Sequence, residues 1–306
     1  MSKIATIGFF DGVHRGHRFL FAQLQEYAKL LHLSPVIYTF SEHPKQILTG
    51  QSPAMLTTNA EREALLSAYG EVRFLDFAAV QHLTAEQFMR YLHDEQDVAA
   101  LLIGYDHHFG SDRLKGFPEY EKIARKIGLH VERAHECLVD SFPVSSSRIR
   151  KLLEAAQIEQ VNRLLGYTYS ISGVVEHGNA IGAKLGFPTA NIRLNSAKQL
   201  PASGVYAVEV FLQAQQSSSV AIFERSDLQG VPHRSAPYKG VANIGTNPTV
   251  GNDHLSLEVH LLDFQGDLYD QPLTISFLSF LREEKKFASL DELKKQIAED
   301  IREAIR

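Results

Sequence analysis

Ile7-Gly8-Phe9-Phe10-Asp11-Gly12-Val13-His14-Arg15-Gly16-His17 decides how the chain reads. An apolar run from Ile4 to Phe10 meets a glycine-containing turn, which opens into a segment carrying Leu20, Leu24, Tyr27, Ala28 and Leu31 at helical spacing. The pattern is strand, loop and helix start. Free backbone N–H groups and the positive dipole end of such a helix attract phosphate, and two histidines three residues apart add donors that are neutral or charged near pH 7. Gly16 lets the backbone approach a ligand while both imidazoles point to one side. This suits the polyphosphate of a nucleotide. Two other readings fit the pair alone: ordinary helix-surface histidines, or a zinc site drawing further ligands from His43, His107, His108 or a carboxylate.

The bulk composition narrows the classes. A chain of 306 residues has room for two domains, each with its own core. A net charge of -5 with 44% hydrophobic residues describes a globular protein and argues against a binder of nucleic acid through a basic surface. The single cysteine, Cys137, sits in an apparent strand, so a disulfide framework is excluded and a reducing compartment is expected. No apolar run approaches membrane-spanning length and no basic start precedes an apolar segment. These features predict a cytoplasmic monomer or weak homo-oligomer acting on small molecules, without nucleic acid or membrane.

Through the first half, helices alternate with strands. Pro35 to Phe40 reads as a second strand followed by the polar loop Ser41-Glu42-His43-Pro44, and Thr58 with Glu61 and Thr84 with Gln87 form capping boxes. Val72 to Phe77, Val98 to Gly104 and His130 to Cys137 supply further strands, giving a parallel sheet covered on both faces. Loops after the strands should open on one crevice at their carboxyl ends: the first loop, His43-Pro44, and Gly104-Tyr105-Asp106-His107-His108-Phe109-Gly110. Val144 to Leu153 is a serine-rich turn entering a helix, whose serines and Arg150 suit either phosphate binding or simple capping.

The His-x-Gly-His spacing resembles the signature of the nucleotidyltransferase superfamily. In order along the chain, Gly8 to His17, Thr39-Phe40 with His43-Pro44, Gly104-Tyr105-Asp106 with Phe109-Gly110, and Ser145 to Arg150 resemble the adenylyltransferase module of bacterial bifunctional riboflavin kinase/FMN adenylyltransferases. The resemblance implies that His14 and His17 contact the ATP phosphates and the leaving pyrophosphate, with Ser146, Ser147 and Arg150 closing from the other side. Gly8, Asp11, Gly16, His43 and Asp106 are then binding residues for nucleotide and flavin. The chain departs from the pattern at Phe9, at Glu42 and at His107-His108.

Near Leu164-Leu165-Gly166 the character changes to short strands and glycine-rich turns. Ser170 to Val175, Gly204 to Leu212, Tyr238 to Ile244, Leu255 to Leu262 and Leu273 to Phe280 read as the strands of a small barrel. Ser289 caps a final helix whose Leu290, Leu293, Ile297, Ile301 and Ile305 should pack on that barrel. Gln213 through Ala236 reads as a long insertion. His177 to Asn191 carries Gly178, Gly182 and Gly186, which suit either a phosphate-wrapping loop or a turned connection, and Thr189 and Asn191 offer oxygens to magnesium. The chain has no Gly-Lys pair and no Gly-x-Gly, which excludes the P-loop and the dinucleotide fingerprint.

Gly182 to Asn191, Gly204-Val205-Tyr206, Asn243-Ile244-Gly245 with Pro248-Thr249, Glu258 to Asp263, and Arg282 with Phe287 resemble the riboflavin kinase module of the same enzymes. By that resemblance Thr189 and Asn191 hold Mg2+ and ATP phosphates, and Asn243 and Arg282 belong to the binding site. Glu258 becomes the general base; without the motif it is an outward residue on an alternating strand. The expected architecture is α/β plus β: a Rossmann-like nucleotidyltransferase domain at 1–164, then a small antiparallel β-barrel of riboflavin kinase type with a terminal helix at 165–306. The expected activities convert riboflavin and ATP to FMN, and FMN and ATP to FAD and pyrophosphate. The rivals are a nucleotidyltransferase for another substrate and a flavin-binding protein with one inactive module.

Overall fold

The structure, a computed structural model, describes residues 2–139, 141–177, 182, 186–194, 198–212, 236–246 and 255–306. Gly178, Pro248-Thr249 and residues 213–235 of the predicted insertion lie outside the described residues. Contacts divide the chain into two compact units, Met1–Ser146 and Ser147–Arg306.

The first unit is built on a five-stranded parallel sheet in the order β3-β2-β1-β4-β5. Its strands are β1 Lys3–Ile7, β2 Ser34–Phe40, β3 Glu71–Leu75, β4 Val98–Ile103 and β5 His130–Arg133. The helices that cover it are α1 Arg15–Leu31, α2 Pro44–Thr49, α3 Asn59–Ser67, α4 Phe77–Val80, α5 Ala85–Arg90 and α6 Phe117–Ile127. Strands buried on both faces need near-continuous apolar sequence, and Val36, Ile37, Tyr38, Leu101 and Leu102 are all within 1% of fully buried. Both capping boxes form, at Thr58–Glu61 and Thr84–Gln87.

Some details differ from the sequence reading. On α1, Leu20, Leu24 and Ala28 are buried, but Leu31 is exposed, and Phe21 and Gln23 are buried in addition. A second difference is the end of β5. Ala134 N–H still reaches the Ile103 carbonyl at 2.9 Å, but the next carbonyl after β4, that of Tyr105, accepts the Arg133 guanidinium at 2.9 Å in place of a backbone N–H, and Gln23 Oε1 accepts the His135 N–H on the open side at 2.8 Å. The strand therefore ends at Arg133, and Cys137 lies in the connection to the small hairpin of β6 Leu138–Val139 and β7 Phe142–Pro143.

The second unit holds most of α7 Ser146–Glu154, then α8 Ile158–Leu165, and a closed barrel in the order β10-β11-β12-β9-β8-β13. The barrel strands are β8 Ser170–Glu176, β9 Ala190–Leu194, β10 Gly204–Leu212, β11 Tyr238–Thr246, β12 Leu255–Leu261 and β13 Pro272–Arg282. All of its pairings are antiparallel. Helix α8 buries Ile158, Val161, Leu164 and Leu165, and Asn162 ties it to the barrel by donating to the Phe277 carbonyl at 2.8 Å. Gly166, at φ +78, ends it in the left-handed conformation that glycine adopts without a Cβ penalty.

The final helix, α9 Leu290–Ile305, packs on β10 and β11, and Ser289 caps it. Its predicted apolar face is only partly used. Leu290 and Ile305 are 62% and 50% exposed, because they occupy the first and last turns of a helix about 24 Å long that overhangs the two strands. The one buried residue of α9 is Asp300, which takes both Nε and Nη2 of Arg282 at 2.8 and 2.7 Å. Asp300→Ala leaves that arginine without its counter-charge and should cost on the order of 3 kcal/mol, whereas Leu290→Ala should stay within about 0.5 kcal/mol. Urea unfolding of the two variants measures the contrast.

Candidate active sites

In the first unit, the parallel sheet sets the carboxyl ends of β2, β1 and β4 side by side, so their loops share one edge. The loop after β1 is wound tightly: Phe10, Gly12 and Val13 all have positive φ, at +55, +78 and +35. For a β-branched residue such as Val13 this is costly, about 1–3 kcal/mol. Asp11 holds the loop in place. Its carboxylate, 3% exposed, accepts from the Leu56 and Thr57 backbone N–H groups and the Thr57 hydroxyl, while Thr57 also accepts from Gly12 N. Ser146 completes the tie by donating to the Asp11 carbonyl at 2.9 Å.

His14 caps α1. Its Nδ1 accepts the His17 backbone N–H at 3.3 Å, so the neutral ring carries its proton on Nε2 as a donor. The two imidazoles stack at 3.6 Å and 18°. Gly16 permits this, since a Cβ there would lie 3.2 Å from the His14 ring. Burial pushes His14 from 6.5 down to about 4, and pushes His17 well below the ordinary histidine range with His14 adding to the effect. His17 Nδ1 is sealed in without a partner among the described residues. Two protonated rings at this separation would repel by on the order of 4 kcal/mol. The pair is therefore neutral near pH 7, where the sequence alone left either charge state open.

Gly8 donates its N–H to the Tyr38 carbonyl, and a Cβ there would meet the Phe10 ring at 2.7 Å. His43 caps α2 through Nδ1, accepting from Lys45 N at 3.0 Å, and packs against Phe9 at 4.6 Å. Asp106 is exposed in the loop after β4, with its carbonyl 3.0 Å from His108 Nδ1. Ser147 and Arg150 continue α7 in the second unit, where the Arg150 carbonyl accepts from Gln199 at 3.0 Å. The sequence reading missed Arg62. Although charged, it is fully buried, its guanidinium 4.2 Å over the Phe9 ring and its Nη2 donating to the Phe40 carbonyl and Asn59 Oδ1. Burial lowers its pKa to about 10.

In the second unit, the register places the predicted residues in one transverse row. Arg282 pairs with Val205, Val205 with Asn243, Asn243 with Glu258, Glu258 with Asn191, and Asn191 with Glu176. Directly opposed residues in antiparallel strands share a face, and the neighbours Tyr206, Ala242, Leu257, Val259 and Ala190 point into the core. The row therefore runs across the outside of the barrel. A cavity of about 390 Å³ opens there, lined by Gly182, Thr189, Asn243, Glu258 and Arg282. Phe187, Phe287 and His260 also line it, and Leu293 and Ile297 of α9 roof it. Thr189 Oγ1 stands 3.4 Å from Glu258 Oε2. Gly182 must lack a side chain, because a Cβ would fall 2.3 Å from the Phe187 carbonyl. Gly186 has φ +88.

The FAD synthetase family model matches residues 1–148, and the riboflavin kinase model residues 165–306. The bifunctional riboflavin kinase/FMN adenylyltransferase of Pseudomonas fluorescens is 38% identical over 303 residues, covering 97% of this chain and 90% of its own. This chain belongs to that family. The protein of the same name from Escherichia coli K12 is 37% identical over 305 residues, again covering 97% and 90%. A crystal structure described as a macrolide-efflux protein from Streptococcus pneumoniae shares the fold, with TM-score 0.85 and 30% identity over 100% of this chain and 94% of that one. Among the described residues, no helix is long and apolar enough to cross a membrane.

The depressed His14 pKa has a consequence for stability. Unfolding restores it from about 4 to 6.5, so between those values the unfolded chain binds more protons and stability falls with falling pH. The contribution is fully present above pH 6.5 and gone below pH 4, and at most about 3 kcal/mol. His14→Asn, which retains a capping side chain, should flatten this part of the pH–stability curve in denaturant titrations.

Proposed function

We propose that the second unit phosphorylates riboflavin to FMN and the first adenylylates FMN to FAD, with the functional division at 1–164 and 165–306. The observation that carries the kinase assignment is the outer row of the barrel, which sets Glu258 between Asn243 and Asn191 beside Thr189, where Glu258, Thr189 and Asn243 line a cavity together with Phe187, Phe287, Leu293 and Ile297. Glu258 takes the proton of the riboflavin 5′-hydroxyl as that oxygen attacks the γ-phosphorus of ATP, and ADP leaves. Arg282, fixed by Asp300, and the Phe287 and Phe187 rings line the walls for the flavin.

Thr189 and Asn191 would hold Mg2+ together with ATP phosphates. The hydroxyl, carboxamide and neighbouring carboxylate are hard oxygen donors of the kind that ion takes. Bound there, the ion neutralises charge on the phosphates during transfer.

In the first unit, a phosphate oxygen of FMN attacks the α-phosphorus of ATP and pyrophosphate leaves. His14 Nε2–H and the half-buried His17 ring supply donors beside a helix start, and an arriving polyphosphate raises both pKa values by supplying the opposite charge. Ser146 positions the loop through the Asp11 carbonyl, Ser147 and Arg150 are assigned to the phosphates, and Gly8, Gly16, His43 and Asp106 form walls for nucleotide and flavin. Asp11 acts as a positioning residue, since its carboxylate is taken up by residues 56 and 57. The net charge of -5 and the single cysteine support action on small molecules in the cytoplasm.

A chromatographic time course with riboflavin, ATP and magnesium tests the assignment. FMN should appear first and FAD later. Glu258→Gln should slow FMN formation by roughly 10²–10⁴-fold yet still convert supplied FMN, and His17→Ala should stall at FMN. An intact protein that makes neither product sinks the proposal.

A further inference from the structure

We propose that His260 is a positioning residue for the kinase site: its ring holds the Pro188 carbonyl and so keeps Thr189 against Glu258, where ATP phosphate is received. The role rests on the kinase reading above. The ladder between β9 and β12 runs through Ile192–Leu257, Asn191–Glu258 and Ala190–Val259, and then stops. Continued in the same register it would set Thr189 opposite His260. Pro188 has no N–H to give, so its carbonyl is the only backbone polar group left to secure.

His260 Nδ1 meets that carbonyl at 2.7 Å. A carbonyl only accepts, so Nδ1 carries a proton and donates it. The Phe187 ring meets the imidazole edge-on, centroids 5.8 Å apart at 86°. Three successive residues are thereby tied down: the Phe187 N–H to the Gly182 carbonyl at 2.9 Å, the Pro188 carbonyl to His260, and the Thr189 hydroxyl to Glu258. His260 follows Glu258 by two residues on the same strand, so both side chains leave the same face, and both line the cavity. Where the backbone ladder ends, this side chain replaces it at the segment that carries the phosphate ligands.

The test compares the unaltered protein with His260→Ala and His260→Asn, whose carboxamide N–H sits about where Nδ1–H does. Riboflavin phosphorylation is measured with ATP and riboflavin varied separately, and calorimetry gives the Kd for ADP with magnesium present. His260→Ala should lose roughly tenfold in kcat/KM for ATP and in ADP affinity, with the riboflavin KM unchanged, and His260→Asn should recover most of the loss. ADP binding by His260→Ala as tight as in the unaltered protein overturns the role. So does an asparagine variant no better than alanine, or a loss that falls equally on riboflavin. Absence of FMN from the unaltered protein would sink the kinase reading instead, and the ADP measurement still decides the clamp.

Discussion

The cross-strand register of β11, β12 and β9 is the constraint on which the barrel half depends. Side chains alternate across a strand with a period of two, so Ala242, Ile244, Leu257, Val259 and Ile192 fill the core only if Asn243, Glu258 and Asn191 stand outside together. A slip of one residue would bury Glu258 and expose Val259. Each large apolar side chain is worth about 1.5–3 kcal/mol when buried, and burying an uncompensated carboxylate costs more. The forces that close the barrel therefore also choose its reactive face. Stability and site geometry are one specification.

The amino-terminal unit builds its proposed phosphate site by another route. A parallel sheet leaves its loops at the carboxyl ends of the strands, and α1 begins there with His14 as both cap and donor. Holding Phe10, Gly12 and Val13 at positive φ costs energy, and the hydrogen bonds gathered by Asp11 offset it. Burial keeps the stacked histidines neutral near pH 7. The same burial that lowers their pKa values makes them sensitive to a negative group in a way an exposed pair would not be.

Most of the architecture could be read from the chain. Both capping boxes, the βα alternation, the change of character ending at Gly166 and five of the barrel strands follow from periodicity and turn chemistry. Strand β9 was missed because it starts inside Pro188-Thr189-Ala190-Asn191, where proline and polar residues read as loop, and only its pairing with β8 and β12 makes it a strand. Arg62 was hidden for a related reason. A charged residue on a helix is normally solvated, and nothing local says that Phe9 and Phe40 enclose this one. The residues proposed for the kinase site read in the sequence as separate motifs; that Arg282, Asn243, Glu258 and Asn191 form one row is a property of register, which no single segment carries. Gln23 and His260 act on distant backbone, at His135 and Pro188, and such side-chain-to-backbone ties leave no periodic signal.

A crystal structure grown with riboflavin and a non-hydrolysable ATP analogue would test the central claim most directly. The isoalloxazine should lie in the cavity under Leu293 and Ile297, the phosphates at Thr189 and Asn191, and the ribityl 5′-hydroxyl about 3 Å from the Glu258 carboxylate. Flavin bound elsewhere, or bound in the cavity with that hydroxyl turned away from Glu258, would contradict it.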